Sequence, residues 1–170
     1  MHIELIPAAL EQAPVVANLL ELYAHDFSEF LPLELGPDGR FGYASLSLYW
    51  SDPGRYPFLI KVDGKLGGLA LVKTAENSAG ETVWDMAEFF IVRAYRRDGI
   101  GTQAAHELWR RFPGRWEVRV MQSNRTGYGF WERAIATWNN GVAVLPARLE
   151  KDGKCWYVFA FECKQVCHSA

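Results

Sequence analysis

The run TVWDMAEFFIV, residues 82–92, constrains the fold more than any other part of the chain. Its apolar side chains are too continuous for a surface element, so it reads as a long, largely buried strand. Three arginines follow almost at once, Arg93, Arg96 and Arg97, and a helix is then predicted over 99–112. The apolar positions Ile100, Ala104, Leu108 and Phe112, flanked by Ala105 and Trp109, form one broad stripe along that helix. Pro113 and Gly114 stop it. A buried strand, a basic loop and an amphipathic helix therefore lie at the centre of whatever this chain builds.

The flanking segments supply the other layers. Strands are predicted over 2–6, 58–62, 66–73, 116–121, 142–150 and 155–163, with Asp63-Gly64 and Asp152-Gly153 as two-residue hairpin turns. Further helices are predicted over 8–23, 25–30 and 125–137, with Pro14 early in the first and Asn124 capping the last. Residues 31–57 read as a long irregular connection holding Phe41, Tyr43, Tyr49, Trp50 and Tyr56, more in keeping with a functional loop than a linker. The order β-α-α-β-β-β-α-β-α-β-β describes an α/β structure: a mixed sheet of about seven strands with about four helices, one domain over 1–170.

Composition excludes more than it selects. A net charge of −2 gives no global attraction to nucleic acid or an anionic membrane. No apolar run approaches the ~20 residues needed to cross a bilayer, and the N-terminus lacks a signal-peptide pattern. Cys155, Cys163 and Cys167 read as reduced thiols, which predicts a cytoplasmic protein. His106 and His168 have no metal-spaced partner, so no metal is expected. The seven tryptophans suit a core and equally the lining of a pocket.

Arginines ahead of a helix N-terminus are electrostatically misplaced, because the helix dipole prefers an anion there. An anion held between them and the unpaired N–H groups removes the conflict, and phosphate is the usual one. Gly99 and Gly101 would let the backbone approach phosphate oxygens closely. The alternative is a glycine-containing turn with solvated arginines. The run from Gly99 to Ala104 also satisfies G-x-G-x-x-A. A six-residue loop separates it from the strand, however, and Met121 and Gln122 stand where that motif wants an acid, so a dinucleotide site fits poorly. No Gly-Lys-Ser/Thr follows to make a P-loop.

The segment RRDGIG, residues 96–101, resembles the R/Q-x-x-G-x-G/A signature of the GNAT superfamily of N-acetyltransferases. NRTGYGFW, residues 124–131, is similar to that family's N-x-x-A-x-x-F-Y segment, and the element order agrees over nearly the whole chain. The resemblance implies the GNAT fold and an acetyl-CoA-dependent N-acetyltransferase acting on a primary amine of a small molecule or peptide. It further implies that backbone groups of Ile91 and Val92 pair with the pantetheine arm of coenzyme A. Arg97, Gly99, Gly101 and Thr102 would give N–H groups to the pyrophosphate, with Arg96 at the start of the loop and Asn124 on the opposite side of the arm. The acceptor would enter between the two central strands, the first two helices and the C-terminal hairpin, and an oxyanion donor is expected near Phe90.

Transfer to an amine requires a base, an oxyanion donor and a departing thiolate. Glu88, set among Met86, Phe89 and Phe90, is the expected base with a raised pKa; a structurally partnered carboxylate is the alternative. Trp131 stands where many family members carry a tyrosine thought to protonate the thiolate, and Tyr128 is the substitute acid unless the thiolate leaves unaided. Tyr23, His25, Asp26, Tyr49, Trp50 and Trp84 are expected around the acceptor, with Asp26 suited to a cationic amine. A non-catalytic acyl-CoA-binding module of the same fold, or a nucleotide-binding regulatory domain, would read similar phosphates. An exposed edge strand or the C-terminal hairpin would permit a homodimer.

Overall fold

Strands β1 (Ile3–Pro7), β2 (Arg55–Val62), β3 (Lys65–Glu76), β4 (Thr82–Ile91), β5 (Gly114–Met121), β6 (Ala147–Lys151) and β7 (Lys154–Cys163) form one sheet. It is seen in a computed structural model that describes residues 1–164, so Cys167 and His168 lie outside the described residues. The strand order is β1-β2-β3-β4-β5-β7-β6, and every pairing is antiparallel except β4 with β5. Among the described residues four α-helices accompany it: α1 (Ala13–Phe27), α2 (Leu48–Ser51), α3 (Ile100–Arg111) and α4 (Arg125–Trp138). Both hairpin turns are as read, with Asp63, Gly64, Asp152 and Gly153 all at positive φ as a type I′ turn requires.

The sheet separates two cores. On one face Phe58, Ile60, Val72, Met86, Trp116, Val118 and Phe159 pack against Ile100, Leu108 and Trp109 of α3 and Ile135 of α4. On the other Leu59, Leu69, Leu71 and Phe90 meet Val16, Leu19 and Leu20 of α1, with Tyr49 of α2. Alternation then fixes where the polar residues of β5 go. Because Trp116, Val118 and Val120 belong to the α3–α4 core, Glu117, Arg119 and Met121 face the α1 side.

Two irregularities in β4 position the site. A bulge falls between Leu71 and Val72, which pair with Glu88 and Met86 and leave Ala87 as the extra residue. It shifts the alternation, so that Glu88, Phe90 and Val92 turn toward α1 while Phe89 and Ile91 turn toward α3 and α4. The parallel seam with β5 is also short: only Trp84 with Trp116 and Asp85 with Glu117 are in register. Beyond them β4 and β5 diverge, leaving a wedge-shaped gap between their C-terminal halves.

Three expectations need correction. The predicted second helix over 25–30 does not exist separately, because α1 continues through Phe27 after starting with a 3-10 turn at Leu10–Gln12. The connection over 31–57 is not wholly irregular; it holds α2, which buries Tyr49. The penultimate strand begins at Ala147 rather than 142, immediately after Pro146, which lacks the N–H a strand interior needs.

Candidate active site

The gap offers backbone groups on its β4 wall. The Val92 N–H donates to Gly67 O at 2.9 Å, so in the antiparallel alternation Ile91 and Phe89 direct theirs away from β3. Of the two residues expected to pair with a cofactor arm, only Ile91 therefore presents its backbone to the gap, and the Val92 N–H is already used. The same alternation turns the Phe90 N–H toward β3 and makes Phe89 the residue with an N–H available for an oxyanion. Gly68 holds this register closely: a Cβ there would lie 2.1 Å from Phe90 O.

Past the gap the chain makes a 3-10 turn at Arg93–Tyr95 and enters α3 through Gly99, at φ 76°. The first intrahelical donor is Gln103, bonded to Gly99 O at 3.0 Å, so the N–H groups of Ile100, Gly101 and Thr102 are left over, and no side chain caps them. The arginines are not equally free. Asp26 of α1 receives Arg93 Nη2 at 2.6 Å and Arg96 Nη2 at 2.5 Å, while Arg96 Nε donates to Ile91 O at 2.7 Å. Partial burial opposes ionisation of Asp26, but the two guanidinium groups outweigh it and hold the carboxyl below its usual range. Arg97 has no ion pair among the described residues and sits at φ 75°, a left-handed conformation unusual for a side-chain-bearing residue. Asp26 thus offsets part of the loop's positive charge and ties down two of its arginines, and Arg97 is the unpaired one. Gly101 has a packing reason of its own, since a Cβ there would come within 3.0 Å of Phe130.

Glu88 receives the Tyr43 hydroxyl at 2.9 Å, and the Tyr23 hydroxyl also faces it. Burial pushes the carboxyl above its ordinary pKa, against the opposing effect of the Tyr43 hydrogen bond and the nearby Tyr23 hydroxyl. Tyr43 lies on the connection after α1, which is tied down by Glu21: its carboxylate accepts the N–H groups of Phe41 at 2.8 Å and Gly42 at 3.0 Å. Tyr43 was legible only as one aromatic in a long connection; nothing in its spacing linked it to Glu88.

Asn124 caps α4, its Oδ1 accepting the Gly127 N–H at 2.7 Å, and a Cβ on Gly127 would collide with that side chain at 2.6 Å. Its amide NH₂ remains to donate. Tyr128, the expected acid, points elsewhere: it packs on Tyr157 at 5.1 Å and Phe159 at 5.3 Å, against β7. Trp131 lines the cavity instead. Of the expected acceptor residues, Tyr23 and Asp26 line it, whereas Tyr49 and Trp50 belong to the α1 core. Trp84 packs edge-on against Tyr56 and at a tilt against Phe112, near the N-terminal end of β4.

A cavity of about 1190 Å³ joins these groups, from Arg97, Gly99 and Thr102 through Ile91 and Asn124 to Glu88, Tyr43 and Arg119. A helix start with unpaired N–H groups, an unpaired strand edge and the half-buried Glu88 carboxylate in one chamber suit an acyl-CoA and an amine, and describe a group-transfer enzyme. The sequence assigns it more narrowly: residues 16–135 match the acetyltransferase (GNAT) family, and the chain belongs to that family, whose acyl donor is acetyl-CoA. No curated protein matches it by sequence. Among solved structures it is similar to a GNAT-family acetyltransferase from Streptococcus agalactiae, with a TM-score of 0.70 at 11% identity over 96% of each chain. It is similar also to the ribosomal-protein-S18-alanine N-acetyltransferase of Escherichia coli, with a TM-score of 0.59 at 13% identity over 99% of each chain. Arabidopsis thaliana NAA60 in complex with acetyl-CoA gives a TM-score of 0.58 at 14% identity, over 95% of this chain and 98% of that one. At such identities the likeness is one of fold.

Proposed function

We propose that this acetyltransferase moves the acetyl group of acetyl-CoA to a primary amine of a small molecule or peptide, both substrates being bound together, with Glu88 as the base. The observation that carries this reading is the half-buried Glu88 carboxylate of raised pKa on β4, beside the gap and in the same cavity as the free N–H groups of α3. The similar Escherichia coli enzyme is named for an alanine acceptor on a protein, which supports an amine nucleophile.

Arg97 and the N–H groups of Ile100, Gly101 and Thr102 would receive the diphosphate. Ile91 backbone and the Asn124 amide would hold the arm, with Arg96 fixing the Ile91 carbonyl. When bound, acetyl-CoA supplies an activated thioester carbonyl. Glu88 takes a proton from the acceptor ammonium or amine, directly or through one water, while Tyr43 and Tyr23 keep its carboxylate in one orientation. The gap-facing N–H of Phe89 is the donor for oxyanion charge. No α4 tyrosine reaches the cavity to protonate the thiolate, and a thiol of pKa near ~8.5 leaves as its anion.

The test is thiol release from acetyl-CoA with a panel of small amines and short peptides. Release that requires both protein and amine is expected. A protein stabilised by coenzyme A but silent with every amine and peptide would sink the reading.

A further inference from the structure

Across the gap from Glu88, on the same α1-side face, β5 carries Arg119, which the family reading leaves without a task. Its Nη2 donates to Asp85 Oδ2 at 2.5 Å, and Lys73 Nζ approaches the same oxygen at 3.7 Å. Asp85 is only 2% exposed, whereas the side chains of Arg119 and Lys73 are 40% and 29% exposed. A buried carboxylate thus anchors two cations whose outer sides face the cavity. With Glu88 beside Lys73 the cluster is not basic overall, so what it offers an acceptor is the unused donors of Arg119 rather than net charge. The bond to Asp85 uses one of the five guanidinium donors, leaving a fork suited to a carboxylate. Lys151, Asp152 and Lys154 of the β6–β7 hairpin line the same cavity, one cation more than anions. Asp26, the carboxylate that could have drawn a cationic acceptor, is committed to Arg93 and Arg96.

We infer that the preferred acceptor is an amine that also carries an acidic group, received by Arg119 and Lys73 while Glu88 faces the amine. This rests on the amine-acetyltransferase reading above and narrows its substrate class. Arg119 is a binding residue here and takes no part in proton transfer.

The experiment compares amines that differ only in carboxylate against carboxamide: L-glutamate with L-glutamine, β-alanine with β-alaninamide, and 4-aminobutyrate with 4-aminobutyramide. Turnover is followed by thiol release, and binding to the coenzyme A-loaded protein by calorimetry. The carboxylate member of at least one pair is expected to bind about tenfold or more tightly and to show a correspondingly higher kcat/KM. Arg119→Gln is expected to erase that preference while leaving the acetyl-CoA KM unchanged, and Lys65→Gln, at the exposed start of β3, to keep it. Arg119→Lys guards against misfolding by retaining the charge, and is expected to recover part of the preference. No carboxylate preference in any pair overturns the inference. So does a preference that survives Arg119→Gln, or an equal rise in acetyl-CoA KM, which would make Arg119 a coenzyme A contact. Preferential binding without any turnover upholds the inference and sinks only the proposed reaction.

Discussion

Glu88 couples rate and stability to pH in opposite senses. Its carboxyl is raised by burial, so the neutral form is favoured in the folded chain. A base must be ionised, and kcat/KM should therefore rise with pH through a value above the ordinary ~4.3 of a glutamate. Glu88→Gln should remove that limb, leaving only the titration of the amine itself; an unchanged pH–rate profile would dismiss the base assignment. For stability the sign reverses. A raised folded pKa gives a contribution that is complete below the unfolded pKa and is lost as pH rises through the folded one. Melting curves of Glu88→Gln should therefore gain on the native chain at pH 8 and show little gain at pH 4. Tyr128 is the contrasting residue. Packed on Tyr157 and Phe159, it should tolerate Tyr128→Phe with turnover falling less than about tenfold, or roughly 1.4 kcal/mol.

At the level of elements, β4 works because β3 holds it closely and β5 lets it go. Gly68→Ala places a methyl 2.1 Å from Phe90 O, so the two strands must separate where Ile91 is presented. A stability loss above about 2 kcal/mol is expected, read as a melting temperature lower by roughly 5–8 °C. The same strand shows why some of the site was legible and some was not. Apolar continuity located β4, and charge against dipole located the loop before α3, because both are written in neighbouring residues. The bulge at Ala87 is not: it arises from pairing with Leu71 and Val72, and it decides which β4 residues turn toward α1. The Asp26 clamp on Arg93 and Arg96 spans about seventy residues of chain, so local charge counting overstated the free positive charge. Tyr43 and Arg119 escaped notice for the same reason, their partners Glu88 and Asp85 being 45 and 34 residues away.

The whole molecule is a sheet of two wings joined at a narrow seam, β1 to β4 on one side and β5, β7 and β6 on the other. A ligand lying in the gap touches both wings, and coenzyme A at about 100 times its Kd should stabilise the fold by about 2.7 kcal/mol. Thermal shift should show this as a rise of roughly 5–10 °C that NAD and ATP do not reproduce. Trp84 and Trp116 meet at that seam with ring centroids 6.3 Å apart. Paired in register, they cover on one face the point from which the two strands diverge, like the spring of a clothes-peg. Loosening that packing should change how β4 and β5 diverge, so Trp84→Leu is expected to raise the acetyl-CoA KM severalfold from outside the cavity. Tuning for a larger acyl group would then be a matter of leverage, achieved at the hinge while every residue that touches the substrate stays the same.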